Sequence, residues 1–150
     1  MVKQNAYLSS QLSKQLKAYS GKLTMSKIFD YKIKTEQHDY LAPDKSEIRL
    51  IVEGTKGNCA HCVLPTGKTS LAIKHKTVEE IWCILLGQVE MWQKSSDEER
   101  IVELKEGVGL TIPNGNHFQF RNTGADPLCI LLVTMPPWPG KDEAVFVEGY

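Results

Sequence analysis

The chain has 150 residues, enough for one domain. A domain of this size buries about two-thirds of its unfolded surface, so it needs no disulfide or metal in order to fold. Lys plus Arg number 18 and Asp plus Glu number 18, giving zero net charge. That balance argues against a nucleic-acid partner, which calls for a basic surplus, and mildly favours self-association into a homodimer. No apolar run approaches the roughly 18 residues of a membrane span, so no membrane partner is expected. The first residues also lack the apolar core of a signal peptide, so the expected compartment is the cytoplasm, where cysteines are reduced thiols.

In chain order, Leu8, Leu12 and Leu16 recur every fourth residue with Tyr19 near the same face. This spacing predicts a short N-terminal amphipathic helix, or a flexible extension, over residues 1–25, ended near Gly21. Residues 26–150 then read as a β domain. KIFDYKIKT, EIRLIVE, NCAHCVL, TSLAIKH, IWCILL, QVEMWQK, RIVELK, GLTI, HFQFRN and LCILLVTM are short and rich in β-branched and aromatic residues. The turn signals APDKS, EGTKG, LPTG, KSSDEE, KEG, PNGN and NTGADP separate them. About ten such strands imply an all-β sandwich or barrel, with a final short strand after PPWPG.

Cys59 and Cys62 form C-A-H-C. A redox pair needs a helix N-terminus to lower a thiol pKa, whereas this segment reads as strand, and residues three apart on a strand face opposite ways. A zinc site would need a second ligand pair at a set spacing, and none is present, so ordinary thiols are expected.

The most specific pattern is a set of spaced framework residues. Gly67, Ile73, His75, Glu80 and Gly87 are followed by Gly107, Pro113, Gly115, Phe118 and Asn122. This resembles the two motifs of the cupin superfamily, G-x5-H-x-H-x3-4-E-x6-G and G-x5-P-x-G-x2-H-x3-N, over roughly residues 45–135. It looks closer to the small cupins bearing H-x-T-V-E-E-I-W and H-F-Q-F-R. The resemblance implies a double-stranded β-helix, or jelly-roll, barrel. It also implies an inward-facing metal site of three histidines and one glutamate, yet two of those histidine positions hold Ile73 and Phe118. Neither side chain offers a lone pair, so no metal cofactor is expected. An altered ligand set of His61, His75, Glu80 and His117 is the alternative. It needs a one-residue bulge to turn His117 inward in place of Phe118.

Without metal, His75 and Glu80 read as a catalytic acid–base pair in an apolar mouth. Burial there should raise the glutamate pKa, with His75 as its natural partner. His61, Ile73, Trp82, Trp92, Phe118 and Phe120 are the candidate ligand-binding residues. Trp138 would cap a barrel end or a subunit contact. The expected function is binding of a sugar or small acid metabolite, with metal-independent isomerase, epimerase or lyase chemistry. The competing readings are a metal-dependent oxygenase or isomerase and a non-catalytic binding or assembly module.

Overall fold

The computed structural model describes residues 29–150, and residues 31–150 form one compact unit. The helix expected over residues 1–25 lies outside the described residues. The apolar–polar alternation predicted from sequence becomes two antiparallel sheets. In the first lie β1 (Tyr40–Leu41), β2 (Glu47–Glu53), β3 (Asn58–Leu64), β5 (Glu79–Leu86), β8 (Gly109–Ile112) and β10 (Leu128–Met135). In the second lie β4 (Ile73–His75), β6 (Gln88–Lys94), β7 (Glu99–Lys105), β9 (His117–Asn122) and β11 (Ala144–Phe146). Their spatial orders are β1-β2-β3-β10-β5-β8 and β11-β4-β9-β6-β7.

Side-chain parity explains the core. On β10, Leu128, Ile130, Leu132 and Thr134 are buried, while the residues between them are half-buried. On β9, Phe118, Phe120 and Asn122 point inward. Ile84 and Met91 join them to fill the space between the sheets. Gly87 makes the reversal from β5 to β6 at φ 94°, and a side chain there would stand 3.2 Å from Pro127 O and Leu128 Cα.

Two expected strands differ. KIFDYKIKT forms none within the described residues, where Tyr31 and Ile33 are exposed and pairing begins only at Tyr40. Alternation without a sheet edge to join does not make a strand. In TSLAIKH only Ile73–His75 pairs as a strand. Ser70 interrupts the ladder, because its hydroxyl accepts the Phe120 N–H at 3.1 Å.

The register sets up one end of the barrel. On the second sheet Ile73 lies opposite Phe118. On the first, Glu80 lies between Ile112 on β8 and Thr134 on β10.

Candidate functional site

A small cavity lies at that end, with room for water-sized spheres over about 50 Å³. This is space for roughly three to five waters at about 10–15 Å³ each. Ile73 and Phe118 wall it from the second sheet and Trp82 from the first. Trp138 closes one side: its backbone N–H donates to Asn58 Oδ1 at 2.8 Å, an oxygen that also accepts the Thr134 hydroxyl at 2.9 Å. Past Tyr40, Pro43 and Trp138, which line both spaces, the cavity gives onto a cleft of about 1090 Å³. Lys45, Lys76 and Lys141 line that outer cleft with Glu53 and Asp142.

Three ionisable side chains bring polar atoms to the inner wall. Glu80, 5% exposed, accepts the Trp82 indole N–H on Oε2 at 2.7 Å. Both residues sit on the inward face of β5, two positions apart. Burial pushes the Glu80 carboxyl up to about 8 and Asp44 adds to the rise, while the indole bond opposes it. Glu80 is therefore a protonated acid at neutral pH.

Asp44 is the second carboxyl, also 5% exposed. The Ala42–Ser46 turn aims it inward, with Lys45 N–H bonding Ala42 O at 2.9 Å and Ala42 N–H bonding Ser46 O at 2.8 Å. Oδ1 accepts the Ser46 N–H at 2.9 Å and its hydroxyl at 2.6 Å. Burial raises this pKa too, partly offset by the bonds from Ser46. Lys45 holds φ 77°, a left-handed conformation unusual for a residue with a side chain.

His75 is 3% exposed and lies edge-on to the rings of Phe118 and Trp138, at 5.2 and 5.1 Å between centroids. Burial pushes its pKa down to about 4, with Glu143 opposing, so the ring is neutral. Nδ1 is buried without a hydrogen-bond partner among the described residues. Glu143 reaches this corner from the 3-10 turn Lys141–Glu143 and accepts the N–H groups of Thr77 and Val78 at 2.5 and 2.7 Å. Burial pushes the Glu143 carboxyl up, but those bonds, the Thr77 hydroxyl and His75 outweigh it and hold the group ionised.

The expected site residues divide. His75, Glu80, Ile73, Trp82 and Phe118 meet at the cavity, and Trp138 caps it. Glu80 is hydrogen-bonded to Trp82 rather than to His75, because the indole donor lies on the same strand face. His61 turns out differently from its expected inward position: Ala60 and Cys62 take the inward face of β3, leaving His61 on the other. Phe120 packs edge-on against Trp82 in the core and does not wall the cavity. Trp92 shares its side of β6 with its cross-strand partner Gln119, outside the barrel, where it stacks on Tyr150 and donates to Glu99. His117 faces the same outer side as Trp92, 6.4 Å away between ring centroids, because the β6–β9 register runs unbroken from Val89 to Lys94.

These placements decide the fit of a metal. Ile73 and Phe118 fill two ligand positions with carbon, and the two histidines of the altered set face away. Among the described residues no three of His, Cys, Asp and Glu come together as a ligand group. The residues present do not fit the group the cupin resemblance implies. Sequence reasoning missed Asp44; its only signal was the APDKS turn, which says nothing about which way the carboxyl points.

No family model matches the chain. An uncharacterized protein of Methanocaldococcus jannaschii, MJ1618, is 34% identical over 121 residues, covering 75% of this chain and 94% of its own. Among solved structures, an RmlC-like cupin family protein with a double-stranded β-helix fold from the same organism aligns with a TM-score of 0.53 at 20% identity. It covers 70% of this chain and 90% of that one. A protein described as a predicted oxalate decarboxylase from Thermotoga maritima aligns with a TM-score of 0.53 at 25% identity, over 61% of this chain and 80% of its own. The two facing sheets and these likenesses agree: the chain belongs to one family with MJ1618 and has the double-stranded β-helix fold of its cupin neighbour.

Proposed function

We propose that the protein binds a small metabolite in the cavity between Glu80 and His75, and that these residues move a proton on it. One observation carries this reading: a protonated carboxyl and a neutral imidazole line one small, apolar-walled space. Glu80, with a pKa near 8, can give a proton and take it back near neutral pH, and neutral His75 can accept one. Proton transfer of this kind serves isomerisation, epimerisation and elimination on small acids or sugars. The inner space suits a group of a few heavy atoms, with any larger remainder in the lysine-lined cleft. The solved neighbours include a protein described as a predicted oxalate decarboxylase, which fits the small-acid branch. Two buried carboxyls are costly to maintain, and the apolar core has no need of them.

The test screens short-chain acids and aldoses by NMR, following the indole signals of Trp82 and Trp138. At least one compound should shift them saturably, and His75→Ala and Glu80→Gln should each weaken it by about tenfold or more. Unchanged binding in both variants would sink the proposal.

Two further parts of the reading rest on other observations. Ile81 and Leu85, 43% and 44% exposed on the outer face of β5, support a homodimer. Light scattering that finds a monomer at every concentration removes it. The unpaired thiols of Cys59, Cys62, Cys83 and Cys129 support a cytoplasmic location. No helix among the described residues is long and apolar enough to cross a membrane.

A further inference from the structure

The charge character of the inner cavity narrows what it can take. Among the described residues its lining contains two carboxyl groups, Asp44 from the turn before β2 and Glu80 from β5, and no lysine or arginine. Other ionisable groups around it are the Tyr40 phenol on β1, the Cys62 thiol on β3 and neutral His75 on β4. Each carboxyl spends one oxygen inside the protein, on Ser46 or on Trp82. The imidazole Nδ1 of His75 has no hydrogen-bond partner among the described residues.

An anion in this space would meet two carboxyls with no cation to offset it among the described residues, and the nearby Trp82 and Ser46 donors are already engaged. A cation meets the reverse. A primary ammonium is an N–H donor on every side, and the wall offers it the carboxyls of Asp44 and Glu80, near enough to each other for Asp44 to raise the Glu80 pKa. The aromatic walls favour a positive charge over a negative one.

We propose that this inner cavity binds the ammonium group of a small aminated metabolite, held by the Asp44 and Glu80 carboxyls among the rings of Trp82, Phe118 and Trp138. The inference rests on the reading that the cavity is the ligand site, and it names the chemistry of the group that enters. Burial raises both carboxyls in the absence of a neighbouring cation, and an ammonium supplies that cation. An acid group on the same ligand would remain in the outer cleft with Lys45, Lys76 and Lys141.

The test titrates the full chain with methylammonium chloride, and separately with sodium acetate, at matched ionic strength, following the Trp82 indole signal. Methylammonium should shift it saturably and bind at least about tenfold more tightly than acetate. Asp44→Asn and Glu80→Gln should each weaken methylammonium by about tenfold or more, since both keep the side-chain volume and remove the carboxyl that a bound ammonium would ionise. Tighter binding of acetate, no saturable shift with methylammonium, or equal affinity in both variants would overturn the inference. If one variant fails to fold, the other and the selectivity of the unaltered chain still decide. Binding of a sugar or acid from the earlier screen without methylammonium binding would overturn this inference alone. No shift with any compound would overturn both readings.

Discussion

Ile73 and Phe118 face each other across β4 and β9, buried to 2% and 1% exposure. They convert the metal face of a cupin barrel into hydrocarbon, leaving His75 and Glu80 as isolated polar groups. Restoring the donors should restore the chemistry. The double substitution Ile73→His with Phe118→His completes three histidines and one glutamate. It should bind cobalt(II) stoichiometrically with visible absorption bands, which the unaltered chain should lack.

Glu80 also makes a pH prediction. Its folded pKa, about 8, is raised above the ordinary 4.5, so between those values the folded state holds a proton that the unfolded chain releases. Stability from this group therefore falls as pH rises toward 8. His75, lowered from 6.5 to about 4, acts oppositely over pH 4 to 6.5, where the unfolded chain takes up the proton. The two nearly cancel there, and the loss should emerge between about pH 6.5 and 8, on the order of 1–2 kcal/mol. Urea midpoints across that window should decline for the unaltered chain and stay flat for Glu80→Gln. A flat profile in both would show that Glu80 is ionised throughout.

Elements position these residues through a few specific ties. The turn from β4 to β5 carries the Thr77 and Val78 N–H groups, both satisfied by Glu143 from the segment leading into β11. One carboxylate thus ties the β4–β5 turn to the last strand, which among the described residues pairs only with β4. Glu143→Ala strands both donors and should cost roughly 2–4 kcal/mol, with faster amide exchange at Thr77, Val78 and β11. Exchange unchanged at β11 would mean that its pairing with β4 alone holds it.

Strand placement was largely legible, because parity and turn residues are local. EIRLIVE, NCAHCVL, QVEMWQK, HFQFRN and LCILLVTM match β2, β3, β6, β9 and β10 residue for residue. KIFDYKIKT and the start of TSLAIKH failed, because pairing depends on a partner edge that lies elsewhere in the chain.

Across the molecule, the two faces of the second sheet do different jobs. Its inner face walls the cavity. Against part of its outer face lies Tyr150, whose ring stacks on Trp92 and lies 5.4 Å from the Arg121 guanidinium carbon, while its hydroxyl donates to Glu90 at 2.6 Å. Trp92 is buried on this outer side, against Tyr150, His117 and Glu99. Tyr150→Ala should red-shift tryptophan emission and cost about 1–2 kcal/mol. It should leave ligand binding in the inner cavity unchanged, since the barrel wall separates the two places. Lost binding would show that the outer cover shapes the cavity.

The sequence by itself determined the barrel and the position of Glu80 among Trp82 and Ile84 on one strand face, because these follow from period-two alternation and fixed spacings. It also determined that carbon replaces two expected ligands. Tertiary structure alone decided that Asp44 enters the cavity, that Glu80 bonds Trp82 instead of His75, and that His61, Trp92 and His117 face away. Those outcomes depend on how a five-residue turn folds over the barrel mouth and on the register between distant strands. Local pattern carries no information about either, since burial and partner are set by segments tens of residues apart.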